Sequence, residues 1–200
     1  MFNKVSQILI IAFLLINLIT VLMTESPDLP WAKNHDERIK KKTDCKPSEA
    51  ALFFHEFLKS RGINSGHLAD ICCGHGGDAI FFVQCGFDVY AVDRDPSLLG
   101  DLDLHGVKAY SFSPTDFWLF EESFLDFVFD LSCYKSAKKE EKETYRNEIL
   151  RCLKPGGLAM IAMENSELLA NDFTGFNILK KIKLEKDGKT CNYFIMEYQR

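Results

Sequence analysis

LADICCGHGGDAIFF at residues 68–82, followed by VYAVDRD at residues 89–95, sets the fold of this chain. An apolar run ends in an acid, Asp70. A glycine-rich turn follows at Gly74, Gly76 and Gly77, then a helix start, then a second apolar run ending in Asp93. Glycine has no Cβ and accepts positive φ, so a turn of this kind lets a ligand approach the backbone closely. An acid roughly twenty residues on, at the tip of the next parallel strand, is placed to accept hydrogen bonds from ribose hydroxyls. The pattern predicts a cofactor that contains a nucleoside.

Working outward, the chain alternates. Glu49–Arg61 carries apolar residues at helical spacing. Strands are expected at His67–Cys72, Asp88–Val92, Val107–Phe112, Leu125–Phe129 and Leu158–Met163, with helices at Asp78–Cys85, Ser97–Asp103 and Lys139–Leu153 between them. Lys154–Gly157, KPGG, reads as a tight turn, and Glu167–Phe173 as a further short helix. Ile178–Leu184 and Cys191–Tyr198 flank Asp187-Gly188, the signature of a hairpin. Alternating strands and helices predict an α/β fold: a doubly wound, mostly parallel sheet, with a C-terminal antiparallel β-hairpin adding a strand at one edge.

Two hundred residues suit one domain with an appendage. The net charge of −5 argues against a nucleic-acid partner. The seven cysteines include no C-x-x-C pair, so no metal site is expected, and they read as small buried hydrophobes in a reducing compartment. Ile8–Met23, ILIIAFLLINLITVLM, has no charge and approaches the span of a bilayer. Only Lys4 precedes it, no A-x-A cleavage pattern follows, and the basic charge lies beyond it at Lys33, Arg38 and Lys40–Lys42. By the positive-inside rule that flank stays in the cytoplasm. The expectation is a single-pass membrane anchor over residues 1–23, a polar linker over 24–47 and a cytoplasmic domain over 48–200. A cleaved signal peptide and a core helix are the competing readings of the N-terminal segment.

Two cofactors fit the first turn. GHGGDA, Gly74–Ala79, matches the dinucleotide fingerprint G-x-G-x-x-A. Three features favour S-adenosylmethionine instead. Asp70 stands where a carboxylate can hold an ammonium group but would repel a pyrophosphate. Asp116-Phe117 follows the third strand, where an acid and an aromatic can take the adenine amine and ring. No second domain follows to carry hydride chemistry.

Over Ser48–Arg200 the chain resembles the class I S-adenosylmethionine-dependent methyltransferases. DICCGHG at Asp70–Gly76 is similar to the family's motif D-x-G-C-G-x-G, with Cys72 at the first glycine, where it narrows the cleft. VYAVDRDP resembles the second motif, with Asp93 on the ribose and Arg94 beside it. Thr115–Phe117 resembles the adenine-binding motif. Leu125–Asp130 resembles strand four, its terminal Asp130 beneath the methionine part, and ILRCLKPGGLAMIAM resembles the turn and strand that follow. The nearest subgroup is that of small-molecule and thiol or tellurite-type enzymes. The resemblance implies a Rossmann-like methyltransferase with S-adenosylmethionine held by Asp70, Cys72, Gly74, His75, Gly76, Asp93, Arg94, Asp116, Phe117 and Asp130.

The loop after strand four, Leu131–Lys135, is expected to face the methyl group. The paired histidines of the subgroup are absent there. Tyr134 is the one candidate catalytic residue, with packing as its competing role. The Asn/Asp-Pro-Pro-Tyr motif of amino-group methyltransferases is absent, which again weakens nucleic-acid methylation. The expected partners are a small-molecule or lipid-soluble methyl acceptor and a membrane. A membrane-tethered, cofactor-binding module without catalysis is the alternative function.

Overall fold

The computed structural model describes residues 46–163, 172–186 and 189–199. The expected anchor, nearly all of the linker, most of the Glu167–Phe173 helix and the Asp187-Gly188 turn lie outside the described residues. Among the described residues no helix is long and apolar enough to cross a membrane.

Helix α1 spans Glu49–Ser60 and buries Ala50, Ala51, Phe54 and Leu58, an i, i+4, i+8 face. Ser48 caps it, its hydroxyl accepting from the Ala51 amide. Strand β1 is His67–Ile71, helix α2 Gly77–Gln84, strand β2 Asp88–Asp93 and helix α3 Pro96–Leu99. A 3₁₀ turn at Asp103–His105 leads to β3, Lys108–Ser111. Then come β4 (Leu125–Asp130), α4 (Cys133–Ser136), α5 (Lys139–Cys152), β5 (Leu153–Met163), β6 (Phe176–Lys186) and β7 (Lys189–Tyr198).

The seven strands form one sheet in the order β3-β2-β1-β4-β5-β7-β6. The first five run parallel, and β7 pairs antiparallel with both β5 and β6. This is the expected doubly wound, Rossmann-like architecture with its C-terminal hairpin, except that both hairpin strands extend the sheet and β7 lies inside β6.

Side chains of the strands alternate between two cores, as the pleat requires. On β5, Leu158, Met160 and Ala162 join Phe54, Phe82 and Phe129 on one face. Ala159, Ile161 and Met163 join Trp118, Tyr145 and Ile149 on the other. Two differences from the sequence reading have local causes. The KPGG turn lies inside β5 as a bulge: Leu125 pairs with Leu153 but Phe127 with Leu158, so the intervening residues loop out, with Gly156 at φ +78°. The short helix α4 was not expected, because its only signal is a side chain before it, Asp130, that takes the backbone amides of its first turn.

Candidate cofactor cleft

The strand order reverses between β1 and β4, and ligands of open α/β sheets bind at the carboxyl ends of strands beside such a switch point. A cleft of about 450 Å³ opens there, within the size range of small-molecule sites. Cys72 follows β1, Asp93–Asp95 end β2, Ser113–Thr115 follow β3, and Ser132, Cys133 and Ser136 follow β4; all line it.

The glycine-rich loop is held to β2 rather than floating over it. Asp93 accepts from the Gly74 amide at 3.0 Å with one carboxylate oxygen and from the Asp95 amide at 3.0 Å with the other. Each oxygen keeps acceptor capacity for a ligand hydroxyl. A Cβ built on Gly74 (φ +55°) meets nothing within 4 Å, so this turn presents bare backbone. Gly76 is required for another reason: its φ is +74° and a Cβ would collide with the buried Leu102 side chain. Gly76 then opens α2.

Asp70 is buried, only 4 % exposed, and does not itself line the cleft. It accepts a hydrogen bond from the Ala79 amide, while Oδ2 has no partner among the described residues. Burial, and then the carboxylates of Asp78 and Asp130, hold its pKa well above the usual carboxylate range. Burial and three neighbouring acids, Asp78, Asp130 and Asp93, all disfavour the charged form of this carboxyl, and a cationic group brought beside it would favour that form. Asp78 is committed elsewhere: it accepts from the Ser48 amide (2.6 Å) and hydroxyl (2.8 Å), clamping α1 to α2.

Other expected site residues do not line the cleft. Asp130 is fully buried, and its carboxylate is spent on the amides of Ser132, Cys133 and Tyr134 and on the Tyr145 hydroxyl at 2.5 Å. It shapes the loop after β4 instead of facing a ligand. Tyr134 is buried at 3 % exposure; its hydroxyl donates to Asp172 (2.7 Å) and accepts from Arg146 (3.1 Å). Burial first, then the Asp172 carboxylate, push its pKa up to about 12. Phe117 is 65 % exposed and lies under the Arg151 guanidinium, 4.2 Å from ring centroid to Cζ. Asp116 is exposed, and neither residue lines the cleft.

The cause is the anchoring of the loop after β3. Trp118 is fully buried, its indole donating to the Pro114 carbonyl and its amide to Glu148. Arg151 ties the Trp118 and Phe120 carbonyls to the same Glu148. That register turns Ser113, Pro114 and Thr115 to the cleft and Asp116-Phe117 away. Arg94 lines the cleft; His75 is exposed on the loop, close enough to Asp95 to help lower its pKa, after the Ser97 hydrogen bonds. Sequence reading missed Ser136 and Glu141 as lining residues, since both lie beyond the loop expected to face the methyl group and polar side chains there carry no periodic signal.

The residues present fit S-adenosylmethionine: a bare glycine turn, an acid at the tip of β2 and an orphaned buried carboxylate oxygen near it. Residues 69–161 match the family described as a methyltransferase domain. No curated protein matches the chain. Among solved structures, the chain is similar to 1,6-didemethyltoxoflavin-N1-methyltransferase from Burkholderia thailandensis, solved with 1,6-didemethyltoxoflavin and S-adenosylhomocysteine. That likeness has TM-score 0.66 and 18 % identity, over 83 % of this chain and 84 % of that one. A TehB-like methyltransferase from Corynebacterium glutamicum gives TM-score 0.63 and 14 % identity over 84 % and 97 % of the two chains. An S-adenosylmethionine-dependent methyltransferase from Aquifex aeolicus gives 0.56 and 17 % over 81 % and 97 %. Residues 69–161 thus match a methyltransferase domain, in the fold shared with S-adenosylmethionine-dependent methyltransferases, and the dinucleotide reading of Gly74–Ala79 gives way.

Proposed function

We propose that the domain moves the methyl of S-adenosylmethionine to a nucleophile on a small or lipid-soluble acceptor, and that residues 1–23 tether it to a membrane with the domain in the cytoplasm. The carrying observation is the cleft at the strand-order reversal, with Asp93 on its wall, Gly74 bare beside it and the unpartnered Oδ2 of Asp70 behind.

Bound there, the cofactor supplies a methyl on a sulfonium, which is already electrophilic. The chain's own residues then bind, align and exclude water. Asp93 accepts from ribose hydroxyls while keeping the loop in place. Ser113 and Thr115 offer hydroxyls to the same cleft, their side chains already bonded to each other at 2.9 Å. Asp70 balances a cationic group of the ligand. A small acceptor is supported by the wall after β4, where Ser132, Cys133, Ser136 and Ala137 are all short side chains. The Burkholderia enzyme, of similar fold, takes a small heterocycle. Membrane tethering rests on the uncharged run Ile8–Met23 and the basic flank beyond it.

Calorimetric titration with S-adenosylmethionine and with NAD tests the cofactor. Saturable binding of the first and none of the second is expected; no binding of the first overturns the reading. Labelled donor offered to thiols, phenols, amines, metalloid oxyanions and nucleic acid then tests the acceptor. Transfer to nucleic acid alone would overturn a small acceptor.

A further inference from the structure

Two thiols meet at the switch point of the sheet. In the β1–β4 register Ile71 lies opposite Asp130, so both chains leave neighbouring strand ends side by side. Cys72 is the first residue beyond β1. Cys133 opens α4, its position fixed by the Asp130 carboxylate, which takes its amide at 2.6 Å. Both side chains line the cleft, and the Cys72 thiol lies close enough to raise the pKa of Cys133. All six described cysteines are free. The backbone at Cys72 is strained: φ is +57°, a region where a side chain costs about 1–2 kcal/mol. Strain held at the wall of a binding cleft points to a role for the side chain that causes it.

We propose that Cys72 and Cys133 are an oxidisable pair, and that a disulfide between them, formed by exchange with a low-molecular-weight disulfide, closes the cofactor cleft. This goes beyond the function proposed above and rests on it only for what the cleft holds. The step balances as ordinary thiol–disulfide exchange. Cys72, the more exposed thiol, attacks one sulfur of the small disulfide as the thiolate; a mixed disulfide forms and one small thiolate leaves. Cys133 then gives up its proton and attacks the Cys72 sulfur, releasing the second small thiolate. The two protein thiols lose two electrons, the small disulfide gains them, and the two thiol protons end on the two small thiols.

Cys133 is the resolving partner because it is buried and because its pKa is raised, first by the neighbouring Cys72 thiol, then by burial and the Asp130 carboxylate. Cys73 is no substitute. Its thiol points to the Gly74 carbonyl, and burial, ahead of the Asp70 carboxylate, raises its pKa. Closing the bond draws the two sulfurs to about 2.05 Å. It pins the glycine-rich loop to α4 across the mouth through which a ligand reaches Asp93.

The test uses the full chain, reduced and then treated with oxidised glutathione. Peptide mapping without reductant should find Cys72 joined to Cys133; the link should survive Cys73→Ser and vanish in Cys72→Ser and in Cys133→Ser. S-adenosylhomocysteine should bind the oxidised wild type at least about tenfold more weakly than the reduced protein, with recovery on adding dithiothreitol. In Cys72→Ser, which lacks the attacking thiol, the oxidised and reduced affinities should agree. Glutathione left on Cys72 alone, a Cys72–Cys73 link, or a Cys72–Cys133 link that leaves affinity unchanged would each overturn the proposal. A reduced protein that binds no S-adenosylhomocysteine refutes the cofactor reading instead, and the peptide map still decides whether the pair exists.

Discussion

Asp70 is a buried acid whose Oδ2 has no partner among the described residues. Removing its charge should therefore help the free domain and harm ligand binding. Its folded pKa is raised, by burial first, so its contribution to stability is full below the unfolded pKa of about 3.9 and is lost as pH rises through the folded value. Asp70→Asn abolishes that loss. Thermal denaturation without ligand should show the variant more stable than wild type at neutral pH, by roughly 1–3 kcal/mol, the usual cost of an unsatisfied buried polar group, with the gap closing near pH 4. The same variant should bind S-adenosylmethionine and S-adenosylhomocysteine more weakly, and methylthioadenosine, which lacks the amino-acid end, about as before. Equal losses for all three ligands would make Asp70 purely structural. Asp93→Ala should cost S-adenosylmethionine about 1.5–3 kcal/mol by titration, since it removes a charged acceptor and also frees the Gly74 amide. These two acids and Gly74 are legible in the sequence because apolar runs end on them. Asp130 looks identical in sequence, an acid ending an apolar run. Whether such a carboxylate faces a ligand or is consumed by amides two to four residues on depends on the turn that follows it, which the sequence pattern does not carry.

At the level of elements, the loop after β3 depends on α5. Glu148, buried, accepts the Trp118 amide at 2.7 Å and pairs with Arg151 at 2.6 Å, and Arg151 in turn holds two loop carbonyls. Glu148→Ala strands that guanidinium and amide together. It should lower stability by about 2–4 kcal/mol in urea denaturation, and S-adenosylmethionine affinity should fall as well because Ser113 and Thr115 lose their register. A stability loss with unchanged affinity would separate the loop from the cleft. The helix Lys139–Cys152 was legible from Tyr145, Ile149 and their spacing, but the role of Glu148 was not. A charge on the inner face of a helix announces a partner without naming it. For the same reason the adenine-side expectation fell on Asp116-Phe117: the loop's register is set by Trp118 and Arg151, residues 33 apart in the chain.

The whole described domain hangs together through contacts that begin at Ser48, and this decides where the chain can be cut. The Ser48 amide and hydroxyl both donate to Asp78 on α2, and its hydroxyl caps α1, whose Phe54 stacks on Phe129 of the central strand β4. The alternation of strands and helices that made the fold legible from Ser48 onward stops short of that point. The N-terminal run is a separate hydrophobic signal with a basic flank. If it anchors the protein, the full chain should sediment with membranes and resist carbonate extraction, because an uncharged apolar run of nearly twenty residues is held by the hydrocarbon core rather than by surface charge. A chain beginning at Asp44 keeps Ser48 and its clamp, so it should stay in the supernatant, fold and bind S-adenosylmethionine with the affinity of the full chain. Release of the full chain by carbonate, or a mature N-terminus found just after Thr24, would remove the anchor. Moving the start to Ala50 should differ from both: with Ser48 gone, Asp78 loses two hydrogen bonds and α1 its cap, and a stability loss of about 1–3 kcal/mol should appear in denaturant titration.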